Sequence, residues 1–133
     1  MTPRLPLGRR DAGTVTEAPD GSAIRILIDA RHGATRASLV EAGLEPNAVS
    51  RPVRHQTVEE TWYVIQGGGQ VWRRAPGAPD GHSASVGPGD ALVIPTGWEF
   101  QFRAGPDGLR FLCYTSPPWP GADEAVLLER GGL

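Results

Sequence analysis

Hydrophobic positions recur along this chain in short bursts, separated by polar and turn-forming residues. Ile24-Arg25-Ile26-Leu27-Ile28 is apolar and β-branched, lies between Gly21 and Gly33, and is predicted as a strand. Thr35–Glu41 sets Ala37, Leu39 and Glu41 against Arg36, Ser38 and Val40, the period of a half-buried strand. Gly43–Arg54 reads as a turn-rich passage. Thr61–Gln66 and Gln70–Arg74 are extended patterns on either side of Gly67-Gly68-Gly69, which predicts a hairpin with a glycine turn. Ser83–Val86 and Ala91–Ile94 are short strands, and Trp98–Arg103 and Leu109–Tyr114 flank a turn signal at Gly105-Pro106-Asp107-Gly108. Strands returning about every ten residues with turn chemistry between them predict an all-β, antiparallel sandwich or barrel. Helical periodicity is not sustained anywhere, and Ala122–Arg130 has room for one or two turns at most.

The pattern divides the chain into an N-terminal arm (1–22), a barrel (23–116) and an extended, Pro-rich tail (117–133). Eighteen glycines and thirteen prolines in 133 residues suit tight turns better than long helices. The formal net charge of -2, with only the pairs Arg9-Arg10 and Arg73-Arg74 as basic runs, points away from a nucleic-acid surface. Apolar runs fall short of the roughly 18 residues of a membrane span, and Met1–Arg10 lacks the apolar stretch of a signal peptide. The single cysteine, Cys113, cannot form an internal disulfide and sits in an apolar strand, so it reads as core filling. The expectation is a cytoplasmic protein.

Two stretches carry a known pattern. In Glu60-Thr61-Trp62-Tyr63-Val64-Ile65-Gln66-Gly67 a glutamate precedes a glycine by seven, and Gly89-Asp90-Ala91-Leu92-Val93-Ile94-Pro95-Thr96-Gly97 spaces glycine, proline and glycine. In this order the two resemble the paired motifs of the cupin superfamily, specifically the small single-domain cupins of the type-2 kind. The resemblance covers Asn47 to Phe102 and implies a double-stranded β-helix, the jelly-roll barrel, and a homodimer. Metal-binding cupins carry His-x-His before the glutamate and another histidine in the second motif. Here His55 and Glu60 match, whereas Val53 and Phe100 occupy two ligand positions and Asn47 replaces the opening glycine.

Two donors are too few for a tight first-row metal, which usually takes three or more protein ligands. No cofactor is therefore expected; any divalent ion would be weak, on His55 and Glu60. His32 and His82 lie at turns and read as surface residues. On an unbroken strand His55 and Glu60 would point to opposite faces, so they converge only if the chain bends through Gln56–Glu59. Converged, they would set an imidazole beside a carboxylate, a candidate acid/base pair, or a relic polar pair in the core. By alternation, Trp62, Val64 and Gln66 share the face of Glu60, and Phe102 that of Phe100. Together with Val53 these are the expected lining of a small-molecule cavity. Glu99, Gln101 and Arg103 are expected to face solvent or a partner. Pro117–Asp123 is read as a strap over a sheet edge, a lid over the barrel mouth, or an arm lying across a neighbouring subunit. Three functions follow: a small-molecule binding protein without a tight metal, a cupin enzyme, or a dimerising scaffold with no ligand. The enzyme would be a metal-free isomerase or epimerase using His55 and Glu60, or a metal-dependent isomerase or dioxygenase with an incomplete ligand set.

Overall fold

The computed structural model describes residues 2–133. Nine strands form the fold: β1 (Val15–Glu17), β2 (Ala23–Ile28), β3 (Ser38–Leu44), β4 (Val53–His55), β5 (Glu59–Arg74), β6 (His82–Val86), β7 (Ala91–Ile94), β8 (Glu99–Ser116) and β9 (Ala125–Leu127). All pairings are antiparallel. The long strands β5 and β8 pair along their whole length and bend together, so each serves two sheets. The first sheet runs β1-β2-β3-β8-β5-β7, using the C-terminal half of β8 and the N-terminal half of β5. The second runs β6-β5-β8-β4-β9, using the other halves. This is the jelly-roll barrel, in which inward side chains of both sheets share one core.

Cross-strand rows build that core. Val40, Cys113 and Trp62 are register neighbours, as are Ala42, Phe111 and Val64. Trp62 stacks on Phe111 with ring centroids 3.9 Å apart, and Phe102 meets both edge-on. Among the described residues no helix is long and apolar enough to cross a membrane.

Both predicted internal turns are corrected. Gly67-Gly68-Gly69 is not a hairpin turn: β5 continues through it, and β8 likewise continues through Gly105–Gly108. The glycines are there because the two backbones touch where the ribbon bends. A Cβ on Gly69 would lie 1.9 Å from the Arg103 carbonyl oxygen, and one on Gly67 would lie 2.1 Å from that of Gly108. Tight turns are instead carried by residues such as Asn47, whose φ of 62° is the left-handed value that asparagine tolerates in place of glycine.

The passage Gly43–Arg54 is less loop-like than its sequence, since it holds the end of β3 and the start of β4. Gln101 is buried rather than solvent-facing, donating to the Ser50 carbonyl and accepting from the Leu133 amide at 3.0 and 2.9 Å. The tail packs on the barrel. β9 covers the edge of β4, and Pro118 and Trp119 close over the barrel interior.

Candidate functional site

The inner face of the first sheet, β4 and the tail enclose a cavity of about 250 Å³. Its walls are mostly apolar, with His55, Glu60 and Asp20 as polar groups. His55 ends β4 in the second sheet, and Glu60 is the second residue of β5 in the first. The chain turns between them, so the bend required by the sequence is present. His55 Nε2 lies 3.0 Å from Glu60 Oε2, and the residues are 4% and 8% exposed. Glu60 is fixed from its other oxygen, which accepts a 2.9 Å hydrogen bond from Trp62 Nε1.

That 3.0 Å separation is an ion-pair distance off the line of a ring N–H bond. Among the described residues neither His55 nitrogen has a hydrogen-bond partner. The ring is held by aromatic contacts instead, with Phe100 at 5.2 Å and Trp119 edge-on at 5.1 Å between centroids. Trp119 is itself tied down, its amide donating to Ser38 Oγ at 3.1 Å, while Ser38 and Thr115 share a hydrogen bond between their hydroxyls.

The bend that joins His55 to Glu60 is organised by Glu124, which sequence reasoning missed. Its carboxylate accepts from the Thr57 amide at 2.5 Å, the Thr57 hydroxyl at 2.7 Å and the Val58 amide at 2.8 Å. Gln56 also donates to the backbone oxygens of Asp123 and Glu124. Burial alone would raise the Glu124 carboxyl, but these bonds, helped by His55, outweigh it and hold the group below the ordinary glutamate value. A carboxyl held low in the fold stabilises it above the unfolded pKa, and that stability is lost as pH falls through the folded value. Glu124→Gln is therefore expected to cost about 2–3 kcal/mol at pH 7, the scale of hydrogen bonds to a charged acceptor. Urea unfolding at pH 7 and again well below about 4.3, the ordinary glutamate value, should show the gap between wild type and variant closing on acidification. An equal gap at both pH values would contradict the assignment.

A second missed residue is Asp20. It sits on the turn between β1 and β2, where Gly21 takes a φ of 91°. Arg51 pins this turn from outside, its amide donating to the Asp20 carbonyl at 2.7 Å and its guanidinium to the Pro19 carbonyl at 3.0 Å. The amide and hydroxyl of Ser22 both donate to Asp20 Oδ1, at 2.9 and 2.6 Å. Burial pushes the Asp20 carboxyl up; the Ser22 bonds and His55 oppose this, and the charge of Glu60 adds to it. No local motif marks Asp20, because the turn reaches the cavity only through the pairing of β1, β2 and β3.

Of the residues expected to line the cavity, Val53, Trp62 and Phe102 do so beside His55 and Glu60. Val64 and Phe100 do not: both are buried in the packed core, with Phe100 behind the His55 ring. Gln66 is on the outside. The β5–β8 register shifts between Val64 and Gln66, and this irregularity turns Gln66 to the opposite face from Trp62. Cys113 lines the cavity as well, but burial first, and Glu60 and Asp20 after it, push its thiol well up, so it stays a neutral, packing thiol. His82 is exposed, and His32 is half-buried, its Nδ1 accepting from the Asp29 amide at 3.1 Å in a capping box.

The residues do not fit a tight metal centre. Val53 and Phe100 fill two of the positions where metal-binding cupins have histidines, and neither offers a lone pair. Among the described residues no group of three or more His, Cys, Asp or Glu side chains is placed to hold an ion.

The barrel with its inward His55–Glu60 pair defines an all-β small-cavity protein. The family profile described as Cupin matches residues 19–119, and this chain belongs to the cupin family. Solved structures agree on the fold. KdgF from Halomonas sp. superposes with a TM-score of 0.70 at 19% identity, covering 86% of this chain and 96% of that one. An oxalate decarboxylase from Lactobacillus farciminis, in a formate complex, gives 0.80 at 18% identity over 96% of this chain, which spans 37% of that protein. A Streptomyces nucleoside dehydratase gives 0.70 at 11% identity, covering 91% of this chain and 88% of its own. A search of curated proteins by sequence finds no match.

Proposed function

We propose that this cupin binds a small organic molecule in its barrel cavity, with His55 as the polar anchor and no tightly bound metal. The observation that carries this reading is the buried Nδ1 of His55, which has no partner among the described residues, in a mostly apolar cavity. A buried polar atom without a partner costs about 1–3 kcal/mol, which a ligand hydrogen bond would offset. The surrounding chemistry suits such a ligand: aromatic walls for its body and a few fixed polar groups for its orientation. Structures of two neighbours support the same use of the fold, since one holds formate and a variant of the Streptomyces dehydratase holds uridine. The exposed Tyr63, Val93 and Tyr114 on the outer face of the first sheet are consistent with a second copy packing there.

A second reading is favoured by the Trp62–Glu60–His55 chain. A carboxylate fixed by an indole N–H and set against an imidazole is the arrangement that orients a general acid or base. Under this reading the bound molecule is isomerised or epimerised through proton transfer at His55.

A thermal-shift screen of sugars, nucleosides, organic acids and amines tests both. At least one compound should raise the melting temperature of wild type by several degrees and leave His55→Ala unmoved. A hit recovered unchanged after incubation supports binding alone, and a converted one supports the enzyme. Stabilisation that survives in His55→Ala would sink the proposed anchor. Near-stoichiometric Fe, Mn, Ni or Zn in protein purified without chelators, lost on His55→Ala, would overturn the metal-free reading.

A further inference from the structure

The cavity is acidic in a way that bears on what it accepts. Three carboxylate residues line it, Asp20, Asp29 and Glu60. The chain has no lysine, and none of its 13 arginines is part of the lining. Asp29 is answered by Arg31, whose Nη2 lies 3.0 Å from its Oδ2. That leaves Asp20 and Glu60, with His55 as the only lining side chain able to carry a positive charge. Both hydrogen bonds to Asp20, a lining residue, fall on Oδ1, and Oδ2 has none among the described residues. His55 Nδ1, on a residue 4% exposed and without a partner among the described residues, is an independent sign that this space takes a ligand.

We propose that the ligand is an organic cation, an amine on an apolar body, with its ammonium at Asp20 Oδ2 on the Glu60 side and its body against the aromatic wall. The inference rests on the cavity being a small-molecule site. An anion would enter a weakly screened space whose fixed charges share its sign, with no arginine to pair it. A cation meets the reverse. Burial and the neighbouring Glu60 make the ionised form of Asp20 costly, and an ammonium beside it removes that cost. Trp62, Phe102, Phe111 and Trp119 add ring faces and edges, and a cation near a ring face gains further.

Matched compounds sharing one skeleton separate charge from shape: benzylamine, benzyl alcohol and benzoate, then phenethylamine, 2-phenylethanol and phenylacetate. Each is titrated calorimetrically into the full chain as wild type, Asp20→Asn and His55→Ala, after melting curves show that the variants fold. Amines should bind at least about tenfold more tightly than their alcohols, a difference of roughly 1.4 kcal/mol, and the carboxylates should not bind. Asp20→Asn should reduce the amine to the affinity of the alcohol and leave the alcohol unchanged. Carboxylate binding, equal amine and alcohol affinities, or no amine binding would overturn the cation proposal, as would an amine indifferent to Asp20→Asn. Alcohol binding that is lost in His55→Ala would then still leave the cavity reading standing. Failure of every class would count against both.

Discussion

Trp62→Ala is expected to lower the stability of the fold by about 3–5 kcal/mol, the range for removing a large aromatic side chain from a packed core. Trp62 is 2% exposed, stacks on Phe111, and meets Phe100 and Phe102 edge-on. Its removal leaves a space continuous with the existing cavity and strips Glu60 of its indole hydrogen bond. The loss is a large share of the roughly 5–15 kcal/mol that holds a typical domain together. Urea unfolding measures it directly. Trp62→Phe keeps most of the packing but loses the N–H, so it should cost less and still weaken the Glu60–His55 geometry. A Trp62→Ala loss below about 1 kcal/mol, the scale of an ordinary substitution, would mean that the ring is not the keystone of this core.

Gly69→Ala should destabilise the fold by about 3 kcal/mol or more, at or beyond the upper end for overpacking. The added methyl would sit 1.9 Å from the Arg103 carbonyl oxygen, which is backbone and paired in the ribbon, so β5 and β8 must part for it to fit. Gly87→Ala is the natural control. A Cβ there meets nothing within 4 Å, and the expected change is within about 0.5 kcal/mol. Thermal or urea unfolding of the two variants side by side distinguishes a close-approach glycine from a turn glycine. Equal, small losses would restore the turn interpretation of Gly67–Gly69.

The contrast between those glycines shows what the sequence does and does not reveal. Strand positions followed from β-branched runs and turn residues, because those preferences are local. Continuity did not: Gly67–Gly69 and Gly105–Gly108 look like turns in sequence, and only the opposite backbone shows why side chains are excluded. The same holds for the site. His55, Glu60 and Val53 were legible from motif spacing, and Trp62 and Phe102 from alternation. Gln66 was misplaced because a register shift in β5 breaks the two-residue period that alternation assumes. Val64 and Phe100 lie on inward faces as expected, but packing fills the space beside them. Asp20 and Glu124 were invisible, since each acts through contacts with segments far away in the chain, and each is an unremarkable acid in a turn-rich stretch. The Pro-rich tail could be read as a strap, a lid or an arm across a second subunit; Pro118 and Trp119 line the cavity, and the edge-covering strand β9 falls just beyond the Pro-rich stretch.

The central claim is that the His55 end of the barrel cavity holds a small organic molecule. The most direct measurement is a crystal structure of the full chain grown with whichever compound gives the largest thermal shift. The compound should lie inside the barrel, beneath Trp119, with a polar atom within hydrogen-bond distance of a His55 nitrogen. A compound bound on the outer surface, with the cavity unchanged and His55 still unpartnered, would contradict that claim.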